Sequence, residues 1–286
     1  MKFLSFTAGG KPSYGAVVGE GKAAGVFDLG KRFGKKYPTL RAAIVDGALK
    51  TLAKAAQGKK PDRKLSQIKY LPVIPDARKI VCVGLNYHEH REETGRPTTA
   101  NPTLFTRWAD TQLGHEQPII KPKESEMLDW EGELVVIIGK TGRRIQRQKA
   151  MSHIAGYSIY NDVSVRDWQR HTSQFTPGKN FVGTGPFGPW LVTPDDVPDI
   201  TKETLTTRVN GVIKQQATID MMIFDIPALI TYISTFTVLK AGDVIVTGTP
   251  GGVGFARKPP EFMKVGDTCE IEITGIGVLR NKVKEG

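Results

Sequence analysis

The sequence has only two cysteines, Cys82 and Cys269, far apart and outside any metal-ligand spacing. That excludes a disulfide framework and a thiolate zinc site, and it fits reduced thiols in a core. It also lacks any run near the ~20 consecutive apolar residues that a membrane-spanning helix needs. The apolar start, Met1 to Phe6, is too short for a secretory signal before Gly9-Gly10-Lys11 breaks it. A cytoplasmic location is therefore expected. There is no repeat of 20 to 50 residues and no low-complexity tract, which excludes solenoids and propellers. Acidic residues are scarce beside basic ones, 29 against 40, for a net charge of +11. The imbalance is local: residues 1 to 64 hold 14 Lys and Arg against 4 Asp and Glu, and the remainder is nearly balanced at 26 against 25. Without interleaved aromatics, this basic segment reads as a solvated face. Neither nucleic acid nor membrane is expected as a partner.

What is present suits an ordinary globular protein of 286 residues, large enough to bury a core without staples. Short apolar runs punctuated by glycine (14–18 and 25–29) lead into a helical pattern over 40–56, and residues 1–70 are expected to form a small basic accessory domain. A polar stretch from Gln57 to Lys64, then Pro72 and Pro75, marks a linker. A main domain over 78–286 begins with the apolar strand 79–83. From Leu134 onward, β-branched runs at 134–138, 157–160, 205–209, 244–246 and 269–273 predict strands, and Asn210-Gly211 predicts a tight hairpin. One helix is expected over 222–236. Strand predominance without regular βα alternation indicates an α+β, mostly β fold and argues against a doubly wound nucleotide fold.

Four groups of residues could carry chemistry. Glu131 and Glu133 precede the run Leu134 to Ile138; two apart in a strand, they share a face. They are either solvated strand-end acids or ligands of a hard cation, for which all-oxygen ligation favours Mg²⁺, Mn²⁺ or Ca²⁺ over zinc. Asp162, Arg166 and Gln169 share a face if the chain turns helical after 157–160. Arg166 could then grip a carboxylate with Asp162 left to the metal, or could simply pair with Asp162. His90 and Glu93 lie one turn apart in a helix, as a general base with its orienting carboxylate or as part of a polar surface turn. The stretch from Gly242 to Gly254 runs from a strand into a glycine-rich loop that matches neither the P-loop nor the dinucleotide pattern. Thr249 there could donate to a carboxylate, or the loop could be no more than a tight turn.

In order, Gly84-Leu85-Asn86-Tyr87 with His90, Glu131-Gly132-Glu133-Leu134, Asn161 to Asp167, Gly178-Lys179 and Gly248 to Gly254 resemble the fumarylacetoacetate hydrolase family over about Lys79 to Val283. The resemblance implies a mixed β-sheet roll, a homodimer, Mg²⁺ or Mn²⁺, and 2-oxo acid substrates. It places Glu131, Glu133 and Asp162 as metal carboxylates, Arg166, Gln169, Lys179 and Thr249 as substrate binders, and His90 with Glu93 as the dyad that activates water. Trp130 stands where the family usually has tyrosine, and Arg107 where lysine is frequent. The expected reaction is hydrolysis of a carbon–carbon bond in an acylpyruvate from aromatic degradation, with Lys179 stabilising the leaving pyruvate enolate. Decarboxylation of oxaloacetate, or isomerisation and tautomerisation, are the alternatives.

Overall fold

The structure, a computed structural model, describes residues 1–286 except Thr98, and of Lys22 the backbone alone. Its main strands are β1 (Lys2–Ala8), β2 (Lys11–Val18), β3 (Gly25–Asp28), β4 (Ile80–Gly84), β5 (Thr103–Thr106), β6 (Gly132–Ile138), β7 (Ile154–Asn161), β8 (Gly185–Val192), β9 (Thr204–Val209), β10 (Val212–Thr218), β11 (Val244–Val246), β12 (Thr268–Ile273) and β13 (Gly277–Glu285). The helices that bear on the site or the core are α1 (Leu40–Val45), α2 (Leu49–Ala56), α3 (His88–Thr94), α4 (Arg166–Gln169), α5 (Thr176–Lys179) and α6 (Ile226–Phe236).

A large mixed sheet runs in the order β3-β2-β1-β8-β7-β6-β11-β4-β5, and a second runs β10-β9-β12-β13 with Ile119–Lys121 at its edge. This is the mostly β architecture that the strand-rich pattern predicts. Residues 1–70 place β1 to β3 in line with the rest, because β1 pairs antiparallel with β8 at Lys2↔Val192 and Phe3↔Leu191.

β6 sits inside the molecule, and its sequence shows why. Leu134, Val136 and Ile138 pack with Leu205, Ile271 and Leu279 of the second sheet. Val135 and Ile137 pack on the other face with Leu40, Ile44 and Leu52 of α1 and α2. A strand buried on both faces reads as a continuous apolar run rather than an alternating one. The helical pattern over 40–56 is two helices, because Gly47 takes a left-handed φ of 67° between them. The pattern over 222–236 forms a helix only from Ile226, where the Asp225 side chain accepts from the Ala228 N–H and caps the first turn. Asn210 and Gly211 both adopt positive φ, 51° and 78°, as the expected hairpin requires.

β6 runs antiparallel to β7 and β11, and β11 parallel to β4. The start of β6 and the ends of β7, β11 and β4 therefore meet at one end of the sheet. Every group singled out in the sequence lies on those four strand ends or on the segments leaving them.

Candidate active site

Glu131 and Glu133 flank Gly132, and the glycine is a packing requirement. A Cβ there would lie 2.2 Å from the Thr207 Oγ1 and 3.1 Å from Ile271, both in the second sheet. The sheets approach closely at this point and turn both carboxylates toward the opposite face. The Asn161 side chain at the end of β7 accepts from the Glu131 N–H at 3.0 Å, and the next residue, Asp162, donates its N–H to the Glu131 carbonyl at 2.9 Å. Carboxylate oxygens of Glu131, Glu133 and Asp162, all three residues buried, lie within 4.8 Å of one another.

Cations surround the cluster. Lys179, brought in by α5, donates to the Glu131 Oε2 and the Asp162 Oδ2, each at 2.7 Å. Arg107 reaches the other Asp162 oxygen at 2.6 Å. Arg166 donates to the Asp129 Oδ2 at 2.8 Å, the Glu131 Oε1 at 2.7 Å and the Gln169 Oε1 at 2.9 Å. Burial raises the Glu131 carboxyl, but the charges of Lys179, Arg166 and His90 outweigh it and hold it at about 2. Glu133 accepts the Gly248 N–H at 2.5 Å and has no ion-pair partner among the described residues. Burial, then the neighbouring charges of Asp162 and Glu131, push its carboxyl well up. Gly248 presents that N–H with φ of 104°, where a Cβ would stand 2.6 Å from Asn86.

This donor set fits a hard divalent cation. It offers three convergent carboxylates, no sulfur and no imidazole ligand, and one buried member, Glu133, that makes no ion pair among the described residues. Lys179 and the arginines engage Glu131 and Asp162, and each carboxylate oxygen keeps a second acceptor site.

The expected helical register of Asp162, Arg166 and Gln169 does not form. Ser164 and Val165 pair as a short strand with Leu128 and Asp129, so α4 begins only at Arg166. The β-branched, fully buried Val163 and Val165 hold the chain extended. The simple Asp162 to Arg166 pair is absent as well: Asp162 pairs with Arg107 and Lys179, and Arg166 with Asp129 and Glu131. All three residues still converge. The Thr249 hydroxyl is occupied differently from expectation, donating to the Gly132 carbonyl at 2.9 Å and accepting from Gln215 at 2.7 Å.

His90 and Glu93 do lie one turn apart on α3, with the His90 Nδ1 2.7 Å from the Glu93 Oε1. The second Glu93 oxygen accepts from the Gly252 N–H at 2.8 Å, tying α3 to the glycine-rich loop. His90, Glu131, Glu133, Arg166, Lys179 and Thr249 line one cavity of about 600 Å³. Its walls carry Phe105, Phe175 and Phe255.

Two contributors escape a reading of the sequence. Asp129, fully buried, accepts from Arg166 and from the N–H groups of Gly254 and Phe255 at 2.7 and 3.0 Å. The spacing of Glu131 and Glu133 carried one step back would have reached it. Gln215 of β10 accepts from the Gly132 N–H at 3.0 Å and donates to Thr249 and to the Pro250 carbonyl. No local pattern separates Gln215 from its neighbour Gln216 on this edge strand as the one that reaches the site.

A model of the fumarylacetoacetate (FAA) hydrolase C-terminal family matches residues 79–284. The mitochondrial oxaloacetate tautomerase FAHD2A of Bos taurus is 40% identical over 271 residues, 92% of this chain and 85% of the relative. Among solved structures, a putative HpcE protein from Mycobacterium smegmatis superposes with a TM-score of 0.88 at 30% identity, with both chains fully covered. Maleylpyruvate hydrolase from Sphingobium sp. SYK-6, in complex with manganese(II) and pyruvate, superposes with a TM-score of 0.82 at 26% identity, again with both chains fully covered. With the buried acidic cluster at its strand ends and a match over residues 79–284, this chain belongs to the fumarylacetoacetate hydrolase family of enzymes.

Proposed function

We propose that the enzyme moves a proton between O2 and C3 of a 2-oxo acid, interconverting the keto and enol forms of oxaloacetate or a close analogue. The observation that carries this is an orphaned donor beside a poised base. The Arg166 NH2 is buried and has no partner among the described residues, although the rest of that guanidinium is fully engaged. A buried cation with one unmet donor in a cavity wall calls for an anionic acceptor, and a 2-oxo acid carboxylate supplies it. His90 lines the same cavity, and its Nδ1 is held by Glu93, so the Nε2 is the nitrogen left to exchange a proton. The relative that is 40% identical along almost the whole chain, N-terminal segment included, is an oxaloacetate tautomerase.

A divalent cation, Mg²⁺ or Mn²⁺, held by Glu131, Glu133 and Asp162 would supply the Lewis acid that polarises the 2-oxo group. The chain's own residues do the rest. Arg166 and Gln169 orient the carboxylate end, the Lys179 ammonium offsets negative charge developing at O2, and His90 carries the proton, with Glu93 stabilising the imidazolium. At the deep end Glu131, Glu133, Arg166 and Lys179 are all buried, so these charges act in a low effective dielectric.

Hydrolytic cleavage of an acylpyruvate is the second reading. A cavity of about 600 Å³ exceeds what a four-carbon acid fills, and a water activated by His90 could attack a distal carbonyl there. The likeness to a maleylpyruvate hydrolase favours it too. The two readings separate in one experiment: follow loss of enol absorbance from enol-oxaloacetate and pyruvate release from acylpyruvates, with Mg²⁺ and with chelator. Tautomerisation predicts fast, chelator-sensitive loss of the enol and slow pyruvate release. His90→Ala should slow the enol step by ~10²–10⁴-fold, and Glu93→Gln by less. Faster acylpyruvate cleavage than ketonisation would overturn the first reading in favour of the second, and chelator-resistant turnover of both substrates would overturn both.

A further inference from the structure

Resting on the 2-oxo acid reading of the deep site, the geometry points to Arg170, with Arg96 as a second exposed cation on the same cavity lining, as the reader of a second, distal carboxylate, so that the substrate is a 2-oxo dicarboxylate. The argument begins with charge. At the deep end, Asp129, Glu131, Glu133 and Asp162 face Arg107, Arg166 and Lys179, one negative charge in excess when all are ionised. A divalent cation turns that into one positive charge, which a single substrate carboxylate neutralises. A second carboxylate finds no further balance there and needs its own cation.

The cavity supplies one. Arg170 and Arg96 both line it, both are exposed, and neither side chain has a hydrogen-bond or ion-pair partner among the described residues. The acidic residues that line the cavity, Glu131 and Glu133, are both at the deep end. Arg170 is also positioned. Its backbone N–H bonds to the Asp167 carbonyl at the end of α4, and its guanidinium carbon lies 4.6 Å from the Phe255 ring centroid. Arg166 lies 4.4 Å from the same centroid. One aromatic ring thus sets the distance between a cation of the deep site and a cation of the mouth, with the cation–π contact holding each. Contact with one ring keeps the two guanidinium carbons within about 9 Å of each other, a reach that a short carbon chain with an anion at each end can span. Ser173 lines the same rim and adds a hydroxyl donor.

The test is a binding measurement, which does not depend on which reaction the enzyme performs. (S)-Malate and (S)-lactate both chelate through a 2-hydroxy carboxylate and differ in the distal carboxylate. Titration calorimetry on the Mn²⁺-loaded full-length protein should give malate an advantage over lactate of about ten-fold or more, the worth of one charge-assisted contact. The advantage should shrink as salt is raised, because the mouth is exposed. Arg170→Met should bring the two ligands to within about three-fold while leaving lactate unchanged, Arg170→Lys should restore part of the difference, and Arg96→Met should lower it less. Malate binding no tighter than lactate in the wild-type protein, including no detectable binding of either, overturns the proposal. So does an Arg170→Met variant that weakens both ligands equally. If tautomerisation is absent and the malate preference persists, the proposed reaction fails and the distal subsite stands.

Discussion

The metal carboxylates are legible residue by residue because a strand's two-residue period reports which side chains share a face, and Glu131 and Glu133 sit beside an apolar run that is plainly a strand. Partnership is less legible. Sequence spacing offers Asp162 to Arg166, whereas the fold gives Asp162 to Arg107 and Lys179, separated from it by 55 and 17 residues. Asp129 shows the cost of such hidden pairs most clearly. It is the one carboxylate that Arg166 Nε meets, and it also closes the Gly254 turn. Asp129→Asn keeps an oxygen for the turn but removes the charge opposite a buried guanidinium, which typically costs about 3 kcal/mol or more. Denaturant unfolding should show that loss. In the folded fraction KM should rise more than kcat falls, because Arg166 and Phe255 lose a shared anchor. A variant within 0.5 kcal/mol of wild type, as an unimportant surface change gives, would show that Asp129 is not the keystone of this pair.

At the scale of elements, strands are read with little ambiguity where apolar runs are short and β-branched, and the helices are read too long. The cause is the same in both helical cases: periodicity persists past a backbone feature that ends the helix, a left-handed Gly47 in one and an Asp225 cap in the other. Neither feature changes which residues are apolar, so the pattern alone does not report it. Sheet-on-sheet spacing is likewise silent in the sequence until a glycine is understood as a contact. Gly132→Ala would press a methyl into the Thr207 Oγ1, an atom that is buried and makes no hydrogen bond among the described residues. Overpacking of that kind costs about 1–3 kcal/mol. The same shift would spread Glu131 and Glu133 apart and weaken metal binding. Thr207→Ala removes the clashing oxygen without breaking a bond, so Gly132→Ala with Thr207→Ala should recover a good part of both losses. Ile271 at 3.1 Å keeps the recovery incomplete. Strict additivity of the two substitutions in a thermal unfolding cycle would contradict this account of the contact.

For the molecule as a whole, the pairing of β1 with β8 joins residues about 190 positions apart, and no local pattern encodes such a partner, because either strand's apolar face could pack on several others. In the basic N-terminal segment Arg32 pairs with Asp62, and Arg41 reaches beyond the segment to Asp76. At the seam of this long-range closure His115 is the group that titrates near neutral pH when unfolded. His115 sits edge-on to Tyr70 with ring centroids 4.8 Å apart, and its Nδ1 accepts from the Arg280 N–H of β13 at 3.1 Å. It therefore touches both the segment that follows the N-terminal strands and the last strand of the second sheet. Burial chiefly, with Arg280 adding, lowers its pKa to about 4 against the opposing pull of Glu116. Since the folded value lies below the ordinary 6.5, the unfolded chain takes up a proton first as pH falls. The stability that neutral His115 contributes is fully present above 6.5 and is lost progressively toward 4, on the order of 3 kcal/mol at most. Glu131, held at about 2 against an ordinary 4.5, contributes stability that is full above 4.5 and lost between 4.5 and 2, so most of the His115 window lies above it. His115→Asn keeps an acceptor where the Nδ1 stands and removes the proton site. Melting temperatures taken between pH 7 and pH 4.5 should fall by several degrees in the wild-type protein and clearly less in His115→Asn, with the two curves converging on the same slope below pH 4. Parallel curves across the whole range would show that the seam is held by Tyr70 and Arg280 without help from the neutral imidazole.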